Sequence, residues 1–189
     1  MNTRFSSFIK RISMLPLASL LCALLSNTAM AQELQPTADY RLGIGDVIEI
    51  RVYGEEDLSM NLSVPANGRI DYAFVGDFQV LGKTVGAVQE EIYQRLLGDY
   101  LVEPRVSVSM ASYRNFYIYG EVARPGGYAW EPGLTVRKVI TLAGGLKERA
   151  SGSKWYLVTE GSKESERRKV SEDDRVQPGD TLTIEQSFF

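Results

Sequence analysis

The sequence predicts an α+β fold made of short strands with one helix in each of two successive halves. Three observations lead there. Apolar and polar residues alternate over short runs such as 47–52 and 106–110. Glycine, proline, aspartate and asparagine break the chain into short segments, and only two segments repeat apolar side chains at helical spacing.

The chain opens with Arg4, Lys10 and Arg11, continues through an apolar run from Ile12 to Leu25, and reaches small residues at Ala29-Met30-Ala31. This is the pattern of a secretory signal peptide over 1–31, cut between Ala31 and Gln32. The apolar run is too short for a stable membrane span of about 20 residues. Cys22 is the sole cysteine, and Leu21 before it and the apolar residues after it argue against lipidation there. A polar leader, 32–39, follows the cut.

Gly43-Ile44-Gly45-Asp46 reads as a turn before a strand in which Ile48, Ile50 and Val52 share one face. A strand-rich stretch from Leu62 to Val80 carries turn signals at Ala66-Asn67-Gly68 and Gly76-Asp77, which predict hairpins. Thr84 is placed to cap a helix with Val85, Val88, Ile92 and Leu96 on its apolar face, and Gly98 to end it. Pro104 then introduces an alternating strand in which Val106, Val108 and Met110 share a face.

The second half starts with a strand over 115–122, turns at Arg124-Pro125-Gly126-Gly127 and resumes at Tyr128-Ala129-Trp130. Thr135 is a reasonable cap for a short helix whose Val136, Val139, Ile140 and Ala143 form the apolar face, with Gly144-Gly145 as its left-handed end. Trp155–Val158 reads as a strand, the charged run from Lys163 to Lys169 as a solvated loop tip, and 176–184 as a turn plus last strand. Gly179-Asp180 echoes Gly45-Asp46, an echo that requires only two glycine–aspartate turns before strands.

Removal of 31 residues leaves 158, enough for one medium domain or two small ones that share a core. It also removes three basic and no acidic residues, leaving 18 basic against 24 acidic, a balance that argues against nucleic acid as a partner. With no histidine in the chain and no cysteine after residue 31, disulfides, thiol chemistry, histidine-assisted nucleophiles and the commonest zinc sites are excluded. We therefore expect no cofactor, no metal and no catalytic residue. Glu121 has the best-defined position among the acids, at a strand end where a turn role accounts for it.

Taken in order, these segments resemble the polysaccharide biosynthesis/export family of Gram-negative envelopes. Residues 40–112 look like its export domain, through Gly45-Asp46, Val64 to Gly68, the segment around Gly76, the first helix and Pro104 to Val108. Residues 113–189 look like a soluble-ligand-binding β-grasp (SLBB) module, through Gly120-Glu121-Val122, Pro125-Gly126, Tyr128, Gly144-Gly145 and Pro178-Gly179-Asp180. Two departures stand out. Gly43-Ile44-Gly45-Asp46 lacks the proline that usually precedes that first glycine, and Ile70-Asp71-Tyr72-Ala73 replaces a proline-bearing segment. The Wza type of the family continues into a further β-grasp module and an amphipathic pore helix, neither of which is expected before Phe189.

The resemblance implies a homo-oligomeric ring in the periplasm, associated with the outer membrane. Such a ring would pass polysaccharide between an inner-membrane polysaccharide copolymerase and a separate outer-membrane pore protein, without bond chemistry. A second reading is a monomeric glycan-binding or regulatory module that stacks sugar rings on Tyr113, Tyr117, Tyr119, Tyr128, Trp130 or Trp155, although aromatics at strand spacing also serve as core. Ser187-Phe188-Phe189 is either a docking tail or a cover for the second core.

Overall fold

The computed structural model describes residues 40–187. The signal peptide with its Ala31/Gln32 cut, Cys22, the leader 32–39 and the terminal Phe188-Phe189 lie outside the described residues. The fold is α+β, and no described helix is long and apolar enough to cross a membrane.

In the first half, β1 (Val47–Val52) pairs antiparallel with β2 (Met60–Ser63) on one side. Its other neighbour is β5 (Val106–Ser112), giving the order β2-β1-β5. Ile48, Ile50 and Val52 are buried because alternation sends them all to one face, while Glu49 and Arg51 point away from it. β3 (Arg69–Tyr72) and β4 (Gly76–Gln79) form a separate hairpin. The helix α1 (Val85–Leu96) lays Val88, Ile92 and Leu96 into the same core, and Thr84 caps it by accepting from Ala87 N at 3.2 Å.

The second half has its own core under a five-stranded sheet, β7-β6-β10-β8-β9. The strands are β6 (Phe116–Gly120), β7 (Gly126–Tyr128), β8 (Ala150–Val158), β9 (Arg168–Lys169) and β10 (Thr181–Gln186). β6 and β10 run parallel, and the other pairs are antiparallel. The helix α2 (Val136–Leu142) buries Val136 and Val139. Gly145 N donates to Ile140 O at 2.9 Å and Gly144 N to Thr141 O at 3.0 Å, the paired bonds that end a helix on a left-handed residue.

Three local expectations shift. The turn expected at Gly76-Asp77 falls at 73–75, because register pairs Gly76 with Tyr72 and buries Ile70 and Phe78 across from each other. Phe74, with φ +62°, takes the left-handed position there and rests on Tyr100, ring centroids 5.1 Å apart. The strand expected at Tyr128–Trp130 instead starts at Gly126, and in this edge strand Gly127 lies under the ring of Tyr117, where a Cβ would fall 2.9 Å from the ring. Thr135 precedes α2 but makes no side-chain cap bond, for Val136 N and Arg137 N donate to Asp174 O and Glu172 O, both at 2.9 Å.

Candidate functional site

The two glycine–aspartate turns have the same geometry. In each, a glycine with positive φ (Gly45 +90°, Gly179 +86°) precedes an aspartate whose backbone N donates to the carbonyl three residues back, both at 3.2 Å. The aspartate Oδ2 in turn accepts from the backbone N of that same residue, Gly43 at 2.7 Å and Gln177 at 2.8 Å. Both carboxylates are buried, Asp46 at 0% and Asp180 at 1% exposure. This closes a type II turn at both ends and aims the next residues into β1 and β10.

The turns differ in what reaches their second oxygen. Asp46 is engaged on all sides: Tyr40 donates its hydroxyl at 2.6 Å, Arg114 its guanidinium at 3.0 Å, and Arg114 backbone N reaches Oδ1 at 2.8 Å. Asp180 Oδ1 is buried with no hydrogen-bond partner among the described residues. Burial pushes the Asp180 carboxyl above the usual carboxylate range, opposed only by the nearby backbone amides of Gln177 and Glu160 and by the Arg114 and Arg168 charges.

Arg114 is the hub of this junction. Beyond Asp46 it bonds Tyr40 Oη at 2.6 Å and Glu160 Oε2 at 2.7 Å. Burial alone would lower its pKa, but Tyr40, Asp46 and Glu160 outweigh that and raise it. Burial and the bond to Asp46 hold the Tyr40 hydroxyl far above the ordinary tyrosine value. The guanidinium crosses so close over Gly43 that a Cβ there would lie 2.2 Å from Arg114 Nη1. Clefts of about 420 Å³ and 380 Å³ open on either side of the Arg114–Glu160 pair. The groups here neutralise and orient one another, which suits a clamp.

Sequence reasoning named Asp46 but missed Arg114, Tyr40 and Glu160. The available signal was a glycine–aspartate turn sited where the chain packs, since a buried carboxylate calls for hydrogen-bonding or charged partners.

The aromatic candidates divide by environment. Tyr113 and Trp130 extend the junction: Tyr40 meets Tyr113 edge-on at 5.0 Å, and Tyr113 meets Trp130 at 4.7 Å. Trp130 is buried and donates Nε1 to Val176 O at 2.6 Å, while Trp155 is buried and donates to Ser151 O at 2.6 Å. Tyr128 is half-buried, stacks on Phe116 at 5.8 Å and donates its hydroxyl to Arg124 O. Tyr117 and Tyr119 are 41% and 49% exposed on the outer face of β6, beside Thr181 and Thr183 of β10.

The other positions named from the sequence serve the backbone. Gly120 turns against β10, Glu121 Oε1 accepts from Gln186 Nε2 at 2.8 Å, and Val122 is fully buried. Pro125 is exposed just before Gly126 opens β7. The charged run holds a short 3-10 turn, Glu164–Glu166, and Arg167 folds back to bond Glu185 at 2.9 Å with its guanidinium 4.1 Å from the Tyr156 ring centre. Among the described residues no three carboxylates gather as a metal site.

Residues 34–111 match the family described as polysaccharide biosynthesis/export protein, and residues 115–165 match the SLBB domain. Exopolysaccharide production protein ExoF of Rhizobium meliloti (strain 1021) is 35% identical over 148 residues, 71% of this chain and 35% of that protein. EPS I polysaccharide export outer membrane protein EpsA of Ralstonia solanacearum is 25% identical over 164 residues, 73% of this chain and 43% of that protein. The EpsA of Ralstonia nicotianae (strain ATCC BAA-1114 / GMI1000) is 27% identical over 132 residues, 68% of this chain and 34% of its own. The chain spans less than half the length of each of these relatives.

Proposed function

Because the chain belongs to the polysaccharide biosynthesis/export family, we propose that it is a periplasmic component of an exopolysaccharide or capsule export machine. It forms a ring or adaptor that passes polymer toward the outer membrane and performs no bond chemistry. Its partners on this reading are the polysaccharide, further copies of itself, an inner-membrane polysaccharide copolymerase and a separate outer-membrane pore protein.

The observation that carries the reading is the succession of matches, export protein over 34–111 and then SLBB domain over 115–165, one in each half. The division into an export domain over 40–112 and an SLBB β-grasp module over 113–189 draws support from two separate buried cores, one within 42–108 and one within 116–184. The full engagement of Asp46 by its neighbours supports a role without catalysis.

Native mass spectrometry of the chain from Gln32 to Phe189, alone and with envelope partners, tests the assembly. A closed ring of one copy number is expected. The exposed Tyr117 and Tyr119 favour the second reading, a monomeric glycan-binding module, and a monomer under every condition would select it. Deletion of the gene tests the role itself, with polymer retained in the cell and absent from the medium as the expected result.

A further inference from the structure

The edge of the first sheet opens where β1 outruns β2. Their register stops at Ile50 against Met60, and β1 continues to Val52 beside β5 alone. The chain then reverses at Val52–Glu55, with Glu55 N donating to Val52 O at 3.1 Å. It passes a 3-10 turn, Glu56–Leu58, anchored by buried Leu58, and re-enters the sheet at Met60. Ser59 bridges the gap by accepting from Val52 N at 3.0 Å. What remains is a groove of about 480 Å³ lined by Glu49, Arg51, Tyr53, Glu56, Ser59 and Asn61, among others. That volume lies within the roughly 300–1,000 Å³ of ligand sites.

Its chemistry is specific. Tyr53 is 66% exposed, and its backbone is fixed by donation to Arg105 O at 3.0 Å. It lines the same groove as Glu49 and Arg51. Arg51 donates to Glu49 at 2.8 Å, so those two charges cancel and Glu56 leaves the groove slightly acidic. Across the sheet, Asn61 and Ser109 stand opposite Glu49, and Ser107 stands opposite Arg51. An exposed aromatic ring thus adjoins planar carboxylate, guanidinium and amide groups, flanked by hydroxyls. Sugar rings pair an apolar C–H face with a rim of groups that both donate and accept, and this set answers both. The excess acidic charge disfavours anionic sugars.

Resting on the export reading, we propose that this groove is a saccharide subsite for a neutral, polyhydroxylated segment of the polymer, with Tyr53 as the stacking platform and Glu49, Arg51 and Asn61 as hydrogen-bonding groups.

The test is a heteronuclear NMR titration of the chain from Gln32 to Phe189 with oligosaccharides from partial acid hydrolysis of the producing strain's released polymer. Hexagalacturonate serves as the acidic comparison. The expected result is movement of the Tyr53 and Gly54 amides and the Asn61 side-chain amide, with affinity about tenfold weaker in Tyr53→Ala. Asn61→Ala, on the neighbouring strand, should weaken binding in the same direction. Shifts confined to Tyr117 and Tyr119, no shifts with the hydrolysate, or tighter binding of hexagalacturonate would each overturn the groove. A deletion strain that retains its polymer while the groove stays silent removes this subsite alone, whereas one that still releases polymer removes the export reading beneath it.

Discussion

At Gly120 the backbone has φ +88°, and a Cβ built there would lie 2.0 Å from the carbonyl oxygen of Ile184. Since that neighbour is backbone in the parallel β6–β10 pair, it has no rotamer with which to retreat. Gly120→Ala should therefore destabilise by about 3 kcal/mol, from left-handed strain plus overpacking, read as a lower denaturant midpoint at constant slope. The opposite sign is expected at Ile44, which holds the place in its turn that Pro178 holds in the other. Ile44 is 47% exposed and its amide bonds no described residue, so Ile44→Pro should stabilise by about 0.4–1 kcal/mol in the same assay. Asp180 gives a pH signature. Its carboxyl is raised on folding, so its contribution is full below the unfolded value near 4 and is lost as pH rises through the folded value. Thermal midpoints of Asp180→Asn should accordingly gain on the parent protein between acid and neutral pH, and a constant difference would show that Asp180 ionises without penalty.

At the scale of elements, the two helices separate what periodicity can reveal from what it cannot. Val88, Ile92 and Leu96 of α1, like Val136 and Val139 of α2, are buried as their spacing predicts, for a helix must cover its apolar stripe. Their caps were equally legible as residue types, yet only Thr84 bonds the helix. The first turn of α2 is satisfied by the carbonyls of Glu172 and Asp174, more than thirty residues downstream, and no local pattern announces that. The same reasoning covers the turn at 73–75, fixed by cross-strand register and burial of Phe78 rather than by the nearest glycine. The helices consequently predict different responses to one substitution. Thr84→Ala should cost about 1 kcal/mol and Thr135→Ala less than about 0.5 kcal/mol in chemical denaturation. Near-equal losses would mean that backbone donors are not what satisfies α2.

For the whole molecule, the decisive feature is the least legible one. Asp46 and Arg114 are 68 residues apart, and nothing in the local pattern around Arg114 distinguishes it from other arginines between strands. The pair joins the halves because Asp46 is fully buried beside the first core while Arg114 leads into β6, and the edge-on contacts Tyr40–Tyr113–Trp130 run alongside. A clamp of this kind makes the stability of each core depend on the other, so the parent protein should unfold in one calorimetric transition with matching van't Hoff and calorimetric enthalpies. Arg114→Ala leaves Asp46 its bonds from Gly43, Tyr40 and the backbone of residue 114 but removes its buried counter-charge. Removing one partner of such a pair costs about 3 kcal/mol, and with the link weakened the melt should split into two components. Arg114→Lys restores a charge without the fork that meets Asp46, Tyr40 and Glu160 together, so it should fall between the two. If Arg114→Ala melts as a single transition at the parent temperature, the aromatic contacts alone couple the halves, and the glycine–aspartate turn at residues 43–46 serves only β1.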